Sequence, residues 1–307
     1  MTEPGAATEA LKALSEGMAN AVEFAGRSVV TVNARRRIPA TGVAWPGAAG
    51  IIVTCSHVIE RDDELTVRLP DGQTVPATLA GRDGGSDLAV LRVEAPGLVQ
   101  AKEATGAARA GAIVLAVGRP DSGGVTVSGG VISGVGGAWR TVSGNTVGGY
   151  LRSDTTFYPG FSGGPLVDVE GHVIGINSSQ LGRGAGLTIP VAAVQPIVEA
   201  LLKGGRLRRG YLGIVTQPVR VPEALRTKAA GAGESGLMIM SVEAASPADA
   251  AGLVVGDLLV MLDGETIADP GDLQERLGHD QVGKTVSATV LRGGQPVVVP
   301  IIIGERA

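Results

Sequence analysis

Short apolar runs separated by turn residues dominate this chain, and helical spacing replaces them in a few places. Over residues 8–25, Leu11, Leu14, Met18 and Val22 recur at intervals of three and four, which predicts a helix with one apolar stripe packed on the domain behind it. From residue 27 to about 190 the period changes. The runs SVVTVNA, GIIVTCSHVI, ELTVRLP, TVPATLAG, LAVLRV, AIVLAVG, VTVSGGVISGV, GPLVDVEGHVIGI and AGLTIPV are rich in Val and Ile and bounded by Gly, Pro, Asp and Asn. Evenly spaced strands of this kind predict an all-β sandwich or a pair of barrels. Asp-Gly in LPDGQT and Glu-Gly in DVEGHV fit hairpin turns. VAAVQPIVEALLKGG then predicts a helix ending near Gly204, with Lys203 in its last turn.

A boundary follows at KGGRLRRGYLG, where Arg206, Arg208 and Arg209 read as a solvated linker. Residues 211–305 mix the two periods. SPADAAGL offers Ser246 as N-cap with Pro247 at the first helical position, and DPGDLQERLG repeats the logic with Asp269 and Pro270. GLMIMSV, DLLVMLDGETI and TVSATVLRGGQPVVVPIII supply the strands of a small α+β module with two helices and about five strands.

Composition narrows the function classes. The 307 residues leave room for two domains, and 44% hydrophobic residues suffice for real cores. Only 18% of residues are charged and the net charge is −4, which speaks against nucleic acid as a partner. A single cysteine, Cys55, excludes an intramolecular disulfide and reads as a buried structural thiol. With one Cys, three His and no clustered ligand spacing, neither a metal nor a cofactor is expected. The first 26 residues lack a basic segment followed by a continuous apolar one, and no run reaches the roughly 18 apolar residues of a membrane span. The expectation is a soluble cytoplasmic protein with no integral membrane segment.

The candidate chemistry sits in YPGFSGGPLVD, where Ser162 lies among glycines. A serine hydroxyl needs a base to become a nucleophile, and the base needs a carboxylate to fix its tautomer. The histidines are His57, His172 and His279. GFSGG matches the G-x-S-x-G elbow of α/β-hydrolases, but that motif requires a following helix and a downstream His, whereas LVDVEGHVIGI reads as a hairpin. The order His, Asp, Ser fits better. TCSHVIE ends a strand with His57, GGSDLAVLRV opens one after Asp87, and GFSGGPLV opens another after Ser162. His172 and His279 read as incidental.

TCSHVIE, SDLAVLRV, VGRPDSGGVTVSGGVISGV, PGFSGGPLVD and GLTIPV together resemble the HtrA/Deg (high-temperature-requirement) family of trypsin-like serine proteases, and GYLGI, SPADAAGL and GDLLVMLDGETI resemble its PDZ domain. The resemblance implies a mainly β chain: a helical segment over 1–26, a chymotrypsin-like double β-barrel over 27–203, a linker at 204–210 and an α+β PDZ domain over 211–307. It implies His57, Asp87 and Ser162 as the catalytic triad, with the backbone N–H groups of Gly160 and Ser162 as the oxyanion hole. It implies that Phe157, Leu181 and Leu187 line an apolar pocket for small aliphatic side chains before the cut. It also implies that Tyr211, Leu212, Gly213 and Ile214 receive peptide C-termini. The activity implied is ATP-independent serine endopeptidase cleavage of unfolded or damaged protein, in homotrimers or their multiples. A chaperone-like protein or PDZ adaptor with a silent protease domain is the alternative. An ester hydrolase is a third reading, and a PDZ domain would be odd on one. Family analogy also raises an extracytoplasmic location. Two departures stand out: Phe161 occupies a position where the family usually has Asn, and the segment before His57 is compact, without a long inserted loop.

Overall fold

The structure is a computed structural model that describes residues 4–121, 123–137, 139–140, 146–182, 186–205, 210–229, 231–278 and 281–305. Arg206, Arg208, Arg209 and His279 lie outside the described residues. The chain divides into two compact units, Met1–Leu207 and Arg208–Ala307.

The first unit opens with α1 (Pro4–Gly26). Its Met18 and Val22 pack on the core as the periodicity predicts, while Leu11 and Leu14 of the same stripe are 67% and 48% exposed. Six strands follow: β1 (Val29–Asn33), β2 (Ala40–Ala44), β3 (Ile51–Cys55), β4 (Thr66–Arg68), β5 (Thr74–Asp83) and β6 (Leu88–Val93). They close into a barrel in the order β1-β2-β3-β6-β5-β4. A second group comprises β7 (Ile113–Gly118), β8 (Thr126–Gly136), a side ribbon of β9 (Trp139–Arg140) and β10 (Thr146–Val147), then β11 (Tyr150–Ser153), β12 (Pro165–Val167), β13 (Val173–Ser178) and β14 (Leu187–Pro190). Without the ribbon these close into a second barrel, ordered β11-β14-β13-β12-β7-β8. The predicted helix is α2 (Val191–Gly204). The strand pattern therefore resolves to the chymotrypsin-like pair of barrels.

Alternation along the strands builds two interiors at once. In β6, Leu88 and Val90 face a core shared with Leu115, Val117 and Ile176 of the second barrel. Ala89, Leu91 and Val93 face the inside of the first barrel with Val30, Val32 and Ile52. A strand buried on both faces reads as a continuous apolar run. Strands β2 and β11 have no counterpart among the predicted runs. The sequence of β2, ATGVA, carries weak strand propensity, yet all five residues are buried. Its place is set by packing: a Cβ on Gly42 would stand 2.7 Å from Ile52 and 2.9 Å from Val32.

The second unit contains β15 (Gly210–Tyr211), β16 (Ile214–Arg220), α3 (Glu223–Arg226), β17 (Ser235–Val242), α4 (Pro247–Ala250), β18 (Leu258–Leu262), β19 (Glu265–Thr266), α5 (Pro270–Arg276), β20 (Thr285–Arg292), β21 (Gln295–Ile302) and β22 (Gly304–Glu305). The main sheet runs β16-β17-β18-β20-β21, with β19 on β18, and β15 pairs with β22. Both predicted caps are present. Ser246 Oγ accepts from the Asp249 N–H at 3.2 Å, and Asp269 forms a reciprocal capping box with Asp272. The core gathers Leu237, Ile239, Leu259, Leu262, Ile267 and Val286.

One buried charge is built into this unit. Arg292 grips Asp257 through Nε at 2.8 Å and Nη2 at 2.7 Å, and the Val254 N–H donates to the same carboxylate at 3.0 Å. Burial alone raises the Asp257 carboxyl; the Arg292 and Val254 donors outweigh it, so the net direction is below the ordinary carboxylate range. A lowered folded-state pKa gives stability that is complete above the unfolded value of about 3.9 and is lost as pH falls through the folded one. The expected result in the full chain is that hydrogen-exchange protection of β18 amides falls on acidification below about pH 4. Arg292→Met costs about 2–3 kcal/mol at neutral pH, discounted because the Arg292 side chain is 39% exposed. The variant also reverses the sign, because an unpaired buried carboxyl gains stability on taking up a proton.

Candidate active site

Three strand ends deliver the three predicted residues. His57 sits in the 3-10 turn Ser56–Val58 that follows β3. Asp87 immediately precedes β6 in the left-handed region, φ 58°, a conformation that Asp tolerates better than most residues. Ser162 lies in the turn before β12. Asp87 is 2% exposed. Its carboxylate accepts from the backbone N–H of His57 at 2.9 Å, lies 2.7 Å from His57 Nδ1 through Oδ2, and accepts a short hydrogen bond from Ser178 Oγ. An acceptor facing Nδ1 places the proton there and leaves Nε2 as the basic nitrogen.

Ser162 is oriented differently. Its hydroxyl is hydrogen-bonded to Ser179 Oγ at 2.8 Å and accepts from the Ser179 N–H at 3.3 Å. Among the described residues it makes no hydrogen bond to His57. The backbone around it is clasped by Thr41 of β2. The Thr41 hydroxyl donates to Gly160 O at 2.7 Å, and the Thr41 N–H donates to Ser162 O at 3.3 Å. The same hydroxyl accepts from the Arg119 N–H at 2.9 Å. With its carbonyl anchored, Gly160 adopts φ 89°, and a Cβ there would meet Pro120 at 2.4 Å and Pro39 O at 2.8 Å. No acceptor within the described residues engages the N–H groups of Gly160 and Ser162. Two unengaged donors beside a serine hydroxyl are what a developing oxyanion requires.

Phe161 turns away from this chemistry. It is fully buried with Val114, Ala116, Ile132 and Leu166, its ring fills the space over Gly118, and Tyr158 meets it edge-on at 5.3 Å. Its side chain anchors the loop from below.

The cleft beside Ser162, of about 570 Å³, is lined also by Phe157, Tyr158, Pro159, Gly160 and Ser179. Leu181 and Leu187 are 6% and 3% exposed and belong to the core between the barrels; neither lines this cleft among the described residues. Burial, and next the Asp87 carboxylate, push the Cys55 thiol well above its ordinary pKa. Cys55, His57 and Asp87 hold ligand-type atoms within 4.8 Å of one another. A thiol held protonated and a carboxylate already accepting hydrogen bonds make this cluster a poor cation site. His172 lies 3.1 Å from Glu170 and edge-on to Phe24, away from the triad.

In the second unit Tyr211 ends β15, Leu212 is buried, and Ile214 opens β16, which is an edge strand with α5 beside it. The N–H groups of Leu212 and Gly213 meet no acceptor among the described residues.

Comparison with known proteins agrees with this architecture. Residues 40–176 match the model of a trypsin-like peptidase domain, and residues 210–303 match that of a PDZ domain. A crystal structure of the serine endoprotease from Yersinia pestis is 30% identical, with a TM-score of 0.78 over 94% of this chain and 98% of that one. The HtrA-type protease AlgW with tripeptide is 30% identical, with a TM-score of 0.78 over 94% and 97%. The chain belongs to the HtrA/Deg family. Among curated HtrA/Deg relatives, the probable periplasmic serine endoprotease DegP-like of Rhizobium meliloti is 34% identical over 269 residues, covering 83% of this chain and 51% of its own length. The serine endoprotease DegS of Haemophilus influenzae is 29% identical over 266 residues, covering 83% and 74%. The chain thus spans about half the length of the DegP-like relatives it matches.

The family corrects one expectation. Curated relatives are named periplasmic, which overturns the cytoplasmic location expected from the N-terminal residues. Composition carries no compartment signal here, because a lone buried thiol forms no intramolecular disulfide in either redox environment. That no helix among the described residues is long and apolar enough to cross a membrane does not bear on compartment.

Thr41, Ser178 and Ser179 are the site residues that sequence reasoning missed. Thr41 and Ser178, small polar residues within buried stretches of strand, were the available signal; Ser179, exposed just after β13, carried none. Thr41→Val keeps the shape and removes the hydroxyl that holds Gly160. The expected outcome is a loss of about 1–3 kcal/mol in stability and a fall in kcat on the order of tenfold with KM nearly unchanged. Thr41→Ser restores kcat. Equal losses in both variants would reduce Thr41 to a packing role.

Proposed function

We propose that this protein is an ATP-independent serine endopeptidase that cuts unfolded or damaged polypeptides through an acyl-enzyme, in an extracytoplasmic compartment. The observation that supports the reading is a chain of contacts: Asp87 holds the His57 ring and Ser178, the next residue Ser179 holds the Ser162 hydroxyl, and the N–H groups of Gly160 and Ser162 meet no acceptor among the described residues. Ser162 turns from Ser179 toward His57 Nε2 and attacks the scissile carbonyl as His57 takes its proton. Gly160 and Ser162 hold the oxyanion, a term worth roughly 3 kcal/mol of barrier per donor. His57 then protonates the leaving amine, and water repeats the sequence on the acyl-enzyme. Asp87 holds the tautomer and offsets the imidazolium charge. Phe157 narrows the pocket for the residue before the cut toward Val or Ala.

The proposed organisation is a helical segment over 1–26, the protease domain over 27–203, a linker over 204–210 and the PDZ domain over 211–307. The PDZ domain receives peptide C-termini at Tyr211–Ile214, the peptide adding as a strand beside β16. Its edge position and the unengaged Leu212 and Gly213 donors support this. Homotrimers or their multiples follow from family likeness. The alternative, a chaperone-like protein or PDZ adaptor with a silent protease domain, has one observation in its favour: the Ser162 hydroxyl faces Ser179.

Reduced casein separates the two. Wild type is expected to cleave it, and Ser162→Ala is expected to be inert. Casein left intact by a folded wild type, even with C-terminal peptides added, would establish the binding-only reading.

A further inference from the structure

The cleft beside Ser162 carries charge that the proposed chemistry does not use. The β1–β2 connection reads Ala34-Arg35-Arg36-Arg37-Ile38-Pro39, and all three arginines line the cleft. Arg35 serves its own loop: the guanidinium donates to Ile38 O and, at 3.3 Å, to Pro39 O. Arg36 and Arg37 are exposed and make no hydrogen bond or ion pair among the described residues. Folding does not need them. Among the described residues, the one carboxylate lining the same cleft is Glu60. Of the acidic residues beyond it, Asp62 is engaged by Arg82 at 3.3 Å.

The ends of the loop fix which half of a substrate it meets. The Glu60 N–H, three residues after His57, donates to Ala34 O at 3.0 Å. At the other end Pro39 abuts Gly160. His57 must hand its proton to the leaving amine, so the leaving half of the polypeptide runs along the His57–Glu60 side. The acyl half runs along Phe157 and Ser179. The arginine loop therefore flanks the residues that follow the cut.

We infer that Arg36 and Arg37 are specificity-determining residues that select polypeptides carrying Asp or Glu within the first few positions after the scissile bond. This rests on the endopeptidase reading. A loop-borne guanidinium pairs with a carboxylate in either one- or two-oxygen geometry, and the cleft wall reduces its screening relative to an open surface. Each exposed pair contributes modestly, so the two together amount to about a tenfold preference, weaker at high salt.

Three peptides test this in the full-length wild-type protein. They share one sequence up to the cut, with Val before it, and a C-terminal amide to keep them off the PDZ site. They differ only in the three residues after the cut: acidic, neutral amide or basic. The expected kcat/KM at low ionic strength is about tenfold higher for the acidic than for the basic peptide, with the gap closing in about 0.5 M salt. Arg36→Gln with Arg37→Gln removes the gap, keeps the neutral peptide within about twofold and leaves Tm unchanged, since both side chains are exposed. Equal turnover of the three peptides by wild type overturns the selectivity and leaves the protease intact. A gap that persists in the double variant overturns the assignment to these arginines. Failure to cleave any of the three removes the endopeptidase reading and the selectivity with it.

Discussion

A carboxylate shut away from water has to be satisfied by its neighbours, and in the first unit that requirement falls on Asp87. The donors come from both barrels: the His57 backbone and ring from the end of β3, and the Ser178 hydroxyl from β13. Removing one donor from a buried charge costs several kcal/mol. The docking of the barrels, the orientation of the His57 ring and the position of β13 beside the cleft are therefore one coupled arrangement. The shared apolar core, which includes Val90 and Leu115, supplies the bulk of the cohesion. Asp87 supplies the register.

The nucleophile turn is held by similar means from the opposite direction. Thr41 fixes its backbone at Gly160 and Ser162, while Phe161 plugs it into the second barrel. Phe161 makes this anchor by packing, its fully buried ring lying against Val114, Ala116, Ile132 and Leu166. The Ser162 hydroxyl, bonded to Ser179, is the part of the turn that neither Thr41 nor Phe161 holds. In the proposed attack it leaves Ser179 and turns toward His57.

The two units use buried ionic groups to different ends. Asp257 with Arg292 is a closed structural pair. Asp87 has a titratable partner, His57, whose ring is 19% exposed. A permanent cation partner suits a structural role. A partner that gains and loses a proton suits the proposed transfer to a leaving group.

Local chemistry made much of this legible in the sequence. The short strings around His57, Asp87 and Ser162, the Val-rich runs, the helix α2, and the caps at Ser246 and Asp269 each depend on residues within a few positions, so their signals are intact in a linear reading. The strands β2 and β11 escaped because their short, mixed sequences acquire strand character from neighbours in the closed barrels. The roles of Thr41, Ser178 and Ser179 escaped for a related reason. The hydrogen bond from Thr41 to Gly160 spans 119 residues, and that from Ser178 to Asp87 spans 91. No periodicity encodes such distances. The sequence by itself determined which groups could do chemistry and on which elements they stand. Only the tertiary structure decided which of them meet, because barrel closure, and not local propensity, sets the contacts between one barrel and the other.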